Sequence, residues 1–273
     1  MVAGLADQCP EHSTPVAYPP DGRLPEGAVG VRLCNGTEDY NGLETDQSDV
    51  DVPADELTHD VAAVTEVVNR ALPEPTGPDT FCPADGGPDL VFWFRYEDGT
   101  AHAVRYGRHG CRWITVGENV LRQGGEDLHE AFVHALAQQR RGLSPPATVP
   151  EADCHDHWPE LTVMDLEPGL DLRTAALCRS APNGFEVATV FTPQQVRRIN
   201  EDWAVAPHRT IDECGLPQRF TMLTGYTTWG DRVALYPATC WRYVVPQLRR
   251  GETVVWQPSP PIAAMFERLS ARR

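Results

Sequence analysis

A chain of 273 residues with 41% hydrophobic content is long enough for two domains that each bury a core. Its formal net charge of −16 argues against duplex nucleic acid as a partner, and no apolar run approaches the ~18 residues of a membrane span. All 23 basic residues are arginine, which excludes a phosphate-binding GxxxxGK[ST] loop, a Schiff-base lysine and a Ser-x-x-Lys nucleophile pair.

The opening "MVAGLADQC" lacks a basic, apolar leader and reads as an initiator Met on a trimmed mature sequence. "VGVRLC" (29–34) reads as a strand. Residues 55–71 read as a helix, because Leu57, Val61, Val64, Val68 and Leu72 form a stripe at helical spacing and Asp55 and Glu56 suit its first turn. "LVFWFRY" (90–96), Asp98-Gly99 and "TAHAVRY" (100–106) read as a hairpin, and "RWITVG" (112–117) as the next strand. Residues 126–140 form a closing helix, with Leu128, Ala131, Phe132, Ala135 and Leu136 on one face. A Pro-rich stretch around residues 144–151 separates this order from a second, similar one, in which "FEVATV" (185–190) adds a strand.

The cysteines define the period. Cys9, Cys34, Cys82, Cys111, Cys154, Cys178, Cys214 and Cys240 are separated by 25, 48, 29, 43, 24, 36 and 26 residues. A gap of about 25, a longer gap, then one of 26–29 occurs twice, the mark of an internal duplication. "LPEGAVGVRLC" (24–34) matches "LEPGLDLRTAALC" (166–178), and "DLVFWFRYEDGTAHAVRYGRHGCRWITV" (89–116) matches "RFTMLTGYTTWGDRVALYPATCWRYVV" (219–245). The expected architecture is α+β: two tandem repeats (1–143 and 152–273), each β-α-β-β-β-α. An antiparallel sheet is packed by helices on one face and stapled by two disulfides. The gaps that recur at near-constant length point to the pairs Cys9–Cys34, Cys82–Cys111, Cys154–Cys178 and Cys214–Cys240. Four bridges imply an oxidising, extracytoplasmic compartment.

Candidate functional residues are few. "ADCHDHWPE" (152–160) gathers Asp153, His155 and His157 beside Cys154, a candidate metal group. Alignment with "ADQCPEHST", which places His12 and Glu11 against His157 and Asp156, reads it instead as the start of the second repeat. His129 and His134 in "HEAFVH" are five apart rather than the four of a zinc-protease helix and read as a solvated face. Residues 38–60 hold nine acids and no Arg, the composition of a solvated loop or of a surface that docks a cationic protein or peptide. With a two-residue Asp98-Gly99 turn, Trp93, Arg95, His102 and Tyr106 share one sheet face and form a candidate binding surface. No serine lies in G-x-S-x-G, and bridged cysteines leave no thiolate nucleophile.

The motifs "LPxGAVxVRLC" and "DGTxxxVxYGRxGC", with the duplicated cysteines, resemble uncharacterised actinobacterial secreted proteins and lipoproteins over most of the chain. That resemblance implies a secreted or lipid-anchored native form and no particular activity. The segments from Cys82 to Cys111 and from Cys214 to Cys240 also resemble the second bridge of the subtilisin-inhibitor-like family. The protease-binding loop of that family would then fall at Cys82-Pro83-Ala84-Asp85-Gly86-Gly87 and Cys214-Gly215-Leu216-Pro217. The functional expectation is a non-catalytic binding protein with an unknown protein or peptide partner and no cofactor. A secreted serine-protease inhibitor is the alternative, with a metal-dependent hydrolase behind it.

Overall fold

The computed structural model describes residues 9, 22–35, 52–73, 89–107, 110–116, 120–154, 164, 169–181, 184–205, 221–238, 242–246 and 253–270. The chain divides into two compact units. One is Met1–Asp49 with Asp55–Ser144, the other Val50–Ala54 with Pro145–Arg273. Both are α+β with purely antiparallel sheets.

In unit 1 the elements run β1 (Ala28–Asn35), α1 (Val61–Arg70), β2 (Leu90–Tyr96), β3 (Ala101–Tyr106), β4 (Ile114–Val116), β5 (Leu121–Arg122) and α2 (Gly125–Arg141). The sheet order is β1-β2-β3-β4-β5. Alternation along β2 buries Leu90, Phe92, Phe94 and Tyr96 and leaves Val91, Trp93 and Arg95 half-buried. The buried face receives α2, whose Phe132 meets Phe92 edge-on at 5.4 Å, and α1 packs against α2 and β1.

Helix α1 starts at Val61, six residues later than the helix expected over 55–71. Asp60 is left-handed (φ 57°), which breaks helical continuation. The preceding backbone has other partners: Leu57 exchanges two hydrogen bonds with Val31 at 2.8 and 2.9 Å. Gln139 of α2 accepts from the Thr58 and His59 amides through Oε1 (2.7 and 3.0 Å) and donates Nε2 to the Glu56 carbonyl (2.8 Å). Leu57 is therefore buried as a strand-edge residue, while Leu72, the last of the stripe, is 67% exposed.

The turn after β2 corrects a second expectation. Tyr96 N donates to Thr100 O (2.9 Å) and Gly99 N to Tyr96 O (3.1 Å), which closes a three-residue loop with Gly99 at φ 83°. This is the geometry of a turn followed by a left-handed glycine bulge. Arg95 consequently pairs with Ala101 and Phe94 with His102. One extra loop residue relative to the two-residue turn moves every β3 side chain to the opposite face.

In unit 2 the elements run β6 (Leu172–Ala181), β7 (Gly184–Val190), α3 (Pro193–Val205), β8 (Thr221–Thr227), β9 (Arg232–Ala238), β10 (Arg242–Pro246), β11 (Thr253–Trp256) and α4 (Pro260–Ser270). The order is β11-β10-β9-β8-β6-β7. The added strand at 185–190 is thus β7, on the edge. Each unit also carries a strand beyond the expected order, β5 and β11. The helix-facing core combines Trp203 and Ile199 of α3 and Phe266 of α4 with Leu177, Leu223, Leu235, Tyr243 and Trp256 of the sheet. Trp256 lies 5.6 Å from Trp203 and 5.7 Å from Tyr243 between ring centres. The Pro-rich stretch is docked on β6: Arg173 donates to Pro146 O (2.9 Å) and Thr174 Oγ1 to Pro150 O (2.9 Å).

Buried tyrosines give the fold an alkaline limit. The Tyr96 hydroxyl donates to Pro25 O (3.0 Å), and burial, helped by the nearby Asp98 carboxylate, pushes its pKa up from 10.0 to about 12. Burial raises Tyr243 as well. A folded pKa above the unfolded one means that the native state holds the proton longer. The contribution is therefore whole below pH 10 and is lost as pH rises through 10 to about 12. Tyrosinate absorbance at 295 nm should show two tyrosines delayed to near pH 12 or beyond, Tyr96 and Tyr243, and Tyr96→Phe should remove one of the two. A wild-type titration complete by pH 11 would contradict this burial.

Candidate functional site

The disulfides are the first elements of function to locate. Cys9–Cys34 ties the N-terminal segment to β1 (Cα–Cα 5.7 Å), and Cys154–Cys178 ties the segment before unit 2 to β6 (5.8 Å). Both match the expected pairs. Cys178 is fully buried and lies with Met222 and Ala234 on the sheet face away from the helices, against Cys154, Phe185 and Tyr236. Cys111 is also disulfide-bonded; Cys82, Cys214 and Cys240 lie outside the described residues.

The proposed surface of Trp93, Arg95, His102 and Tyr106 does not exist as one face. Cross-strand partners share a face. The observed register therefore puts His102 and Tyr106 with Phe94 and Leu90 on the helix side, and Trp93 and Arg95 on the other. Tyr106 is 2% exposed, and His102 sits edge-on to Tyr96 at 5.2 Å. The three-residue loop is the physical cause. The open face instead sets Arg32 opposite Trp93 and Gly30 opposite Arg95. Arg95 donates Nε and Nη2 to the two oxygens of Glu56, both at 2.9 Å, a bidentate pair. A side chain at position 30 would collide with Glu56 Oε1, so only glycine leaves room for this clamp.

The acidic segment is partly internal structure. Glu56 serves Arg95, and Asp55 accepts from Arg140 Nε (3.0 Å) and Nη2 (2.5 Å). The Arg140 side chain is 7% exposed, so Asp55 neutralises a buried cation. Residues 36–51 lie outside the described residues. The "HEAFVH" reading is corrected on one count: His129 is buried (4% exposed) beside the Tyr106 ring, whereas His134 is solvated.

Asp153 is exposed and Cys154 is bonded to Cys178, so that thiol is unavailable to a metal. His155 and His157 lie outside the described residues, as do both segments compared with a protease-binding loop. Among the described residues no three His, Cys, Asp or Glu side chains are placed to hold a metal ion, and no helix is long and apolar enough to cross a membrane.

The site that sequence reading missed is on the helical side of unit 2. A cleft of ≈ 620 Å³ runs between α3 and α4. Arg198, Glu201, Asp202 and Val205 line it from α3, and Pro261, Ala264, Met265 and Arg268 from α4. Both sets follow i, i+3, i+4, i+7 spacing, one stripe per helix. Asp202 is buried, and its Oδ2 accepts the Ser259 amide at 3.0 Å, capping α4 and fixing one end of the cleft.

Set beside known protein families, curated proteins and solved structures, the chain matches none.

Proposed function

We propose that this chain is an extracytoplasmic, non-catalytic binding protein made by duplication of a disulfide-stapled α+β unit. The observation that carries the reading is the oxidised state of its cysteines: Cys9–Cys34 and Cys154–Cys178 staple the first strand of each unit, a bond favoured in oxidising compartments.

Several local details support the duplication. The β8–β9 turn has the same bonds as the β2–β3 turn: Thr227 N to Asp231 O (2.8 Å), Gly230 N to Thr227 O (3.0 Å), and Gly230 at φ 83°. Asn69 of α1 clamps both backbone groups of Leu24, and Asn200 of α3 does the same to Leu172. The edge place that the Leu57 bridge takes beside β1 is taken by β7 beside β6.

For the partner we propose a protein or peptide, met on the open face of unit 1. Half-buried Trp93 between Arg32 and Arg95 has the Trp/Arg composition of interface hot spots. The net charge of −16 supports excluding duplex DNA. A photo-crosslinking residue at position 93 should capture one discrete partner in cells that secrete the protein, while the same residue at solvated His134 captures none. Equal crosslinking at both positions would sink the surface assignment. Subtilisin and trypsin should stay fully active with the chain in molar excess. Stoichiometric inhibition would replace this reading with that of a protease inhibitor.

A further inference from the structure

We infer that the open face of unit 1 takes an extended, proline-rich, uncharged peptide segment of its partner. The inference rests on the partner-binding face and the duplication proposed above, and it names the chemistry of the partner.

Unit 2 carries such a segment on its own sheet. Pro145 to Cys154 form no helix or strand. Arg173 donates Nη1 to Pro146 O (2.9 Å) and Nη2 to Ala147 O (2.5 Å), and Thr174 Oγ1 donates to Pro150 O (2.9 Å). Cys154 is bonded to Cys178. Thr174 and Cys178, which anchor the segment, share the sheet face away from the helices. All three hydrogen bonds are accepted by carbonyls of the segment. Prolines 145, 146 and 150 lack an N–H and hold φ at about −65°, as in an extended polyproline helix, whose carbonyls are free to accept from outside. On this face the cross-strand pair Ala176 and Thr224 has no exposed surface, and Ala152 of the segment is buried.

The matching positions of unit 1 present other chemistry. Cys34 corresponds to Cys178, so the pair Arg32 and Trp93 stands where Ala176 and Thr224 stand. That pair is half-buried rather than covered. The residues before Cys9 read MVAGLADQ, without proline, where PPATVPEAD precedes Cys154. Trp93 offers a flat ring on which prolines pack. Arg32 brings guanidinium donors to this face, the groups that Arg173 uses on the carbonyls of unit 2. Two further arginines of the face are matched by carboxylates: Arg95 by Glu56 at 2.9 Å, and Arg105, opposite Val91, by Asp89 at 3.9 Å. A charged segment laid over matched pairs loses its hydration without gaining a counter-ion, whereas an uncharged one does not.

The test uses dye-labelled decaproline as probe and a dye-labelled Gly-Ser peptide of equal length as its flexible counterpart. Both are followed by fluorescence anisotropy on the intact oxidised chain. The expected result is saturable one-to-one binding of decaproline, about tenfold or more tighter than the Gly-Ser peptide, because its backbone is preorganised and its rings meet Trp93. Trp93→Ala should weaken decaproline about tenfold, and Trp93→Tyr should recover most of that loss. Arg32→Ala should weaken it roughly threefold to tenfold. His134→Ala, on the solvated side of α2, should change nothing. Circular dichroism melts check that each variant is folded at the assay temperature. Equal affinity for the two peptides, or unchanged decaproline affinity in the Trp93→Ala/Arg32→Ala double variant, would overturn the assignment. Equal peptide affinities beside a crosslink specific to position 93 would remove the proline-rich occupant alone. Equal crosslinking at positions 93 and 134 would remove the face and the occupant with it.

Discussion

Replacing Cys154 and Cys178 together by alanine should lower the melting temperature of unit 2 by roughly 10 °C, a destabilisation of about 3–4 kcal/mol. The bridge closes a loop of 24 residues, and most of that figure is the chain entropy returned to the unfolded state. Cys178 adds a packing term: it is fully buried among Met222 and Ala234, so truncating its sulfur leaves a small cavity. The Cys9–Cys34 pair closes a similar loop of 25 residues, but Cys9 is exposed, and its removal should cost mainly the entropic part. Calorimetry of both double variants, with and without reductant, reads the difference. If reductant leaves the wild-type trace unmoved, the bridges do not staple the fold.

Trp256→Ala should cost unit 2 about 3–5 kcal/mol, a large fraction of the roughly 5–15 kcal/mol that holds a domain together. Trp256 has no exposed surface, and the rings of Trp203, Tyr243 and Phe266 surround it at 5.6 to 6.1 Å between centres. Deleting it removes the ring that lies within 6.1 Å of all three others. Trp256→Phe should cost less than half as much. It keeps a ring in the cluster and removes the indole Nε1, which is buried with no hydrogen-bond partner among the described residues; such a donor carries a desolvation penalty of about 1–3 kcal/mol that the substitution relieves. Denaturant unfolding followed by circular dichroism checks both. Equal losses in the two variants would mean that the ring cluster contributes little beyond the indole.

Much of the scaffold was legible because its signals are local. The alternation in "LVFWFRY" names both faces of β2, and the Leu128/Phe132/Leu136 stripe names the buried side of α2. What failed depended on distant partners or on single residues. The start of α1 was misread because Gln139, some 80 residues away, holds residues 56–59 out of the helix. One added loop residue at Glu97 reversed β3 and carried Tyr106 into the core, dissolving the expected four-residue surface while keeping Trp93 and Arg95 together. β5 and β11 have two and four residues, too short for a period to register. The α3–α4 cleft was invisible because Arg198 and Arg268 sit in separate helices, and nothing in either stripe says that they line the same cleft.

Peptide mapping of the non-reduced, alkylated native protein is the most direct measurement. It should return linked peptides for Cys9–Cys34 and Cys154–Cys178. By the duplication it should also return Cys82–Cys111 and Cys214–Cys240, with no link between a cysteine of unit 1 and one of unit 2. Free thiols at Cys9, Cys34, Cys154 and Cys178, or a bridge joining the two units, would contradict a pair of separately stapled extracytoplasmic units.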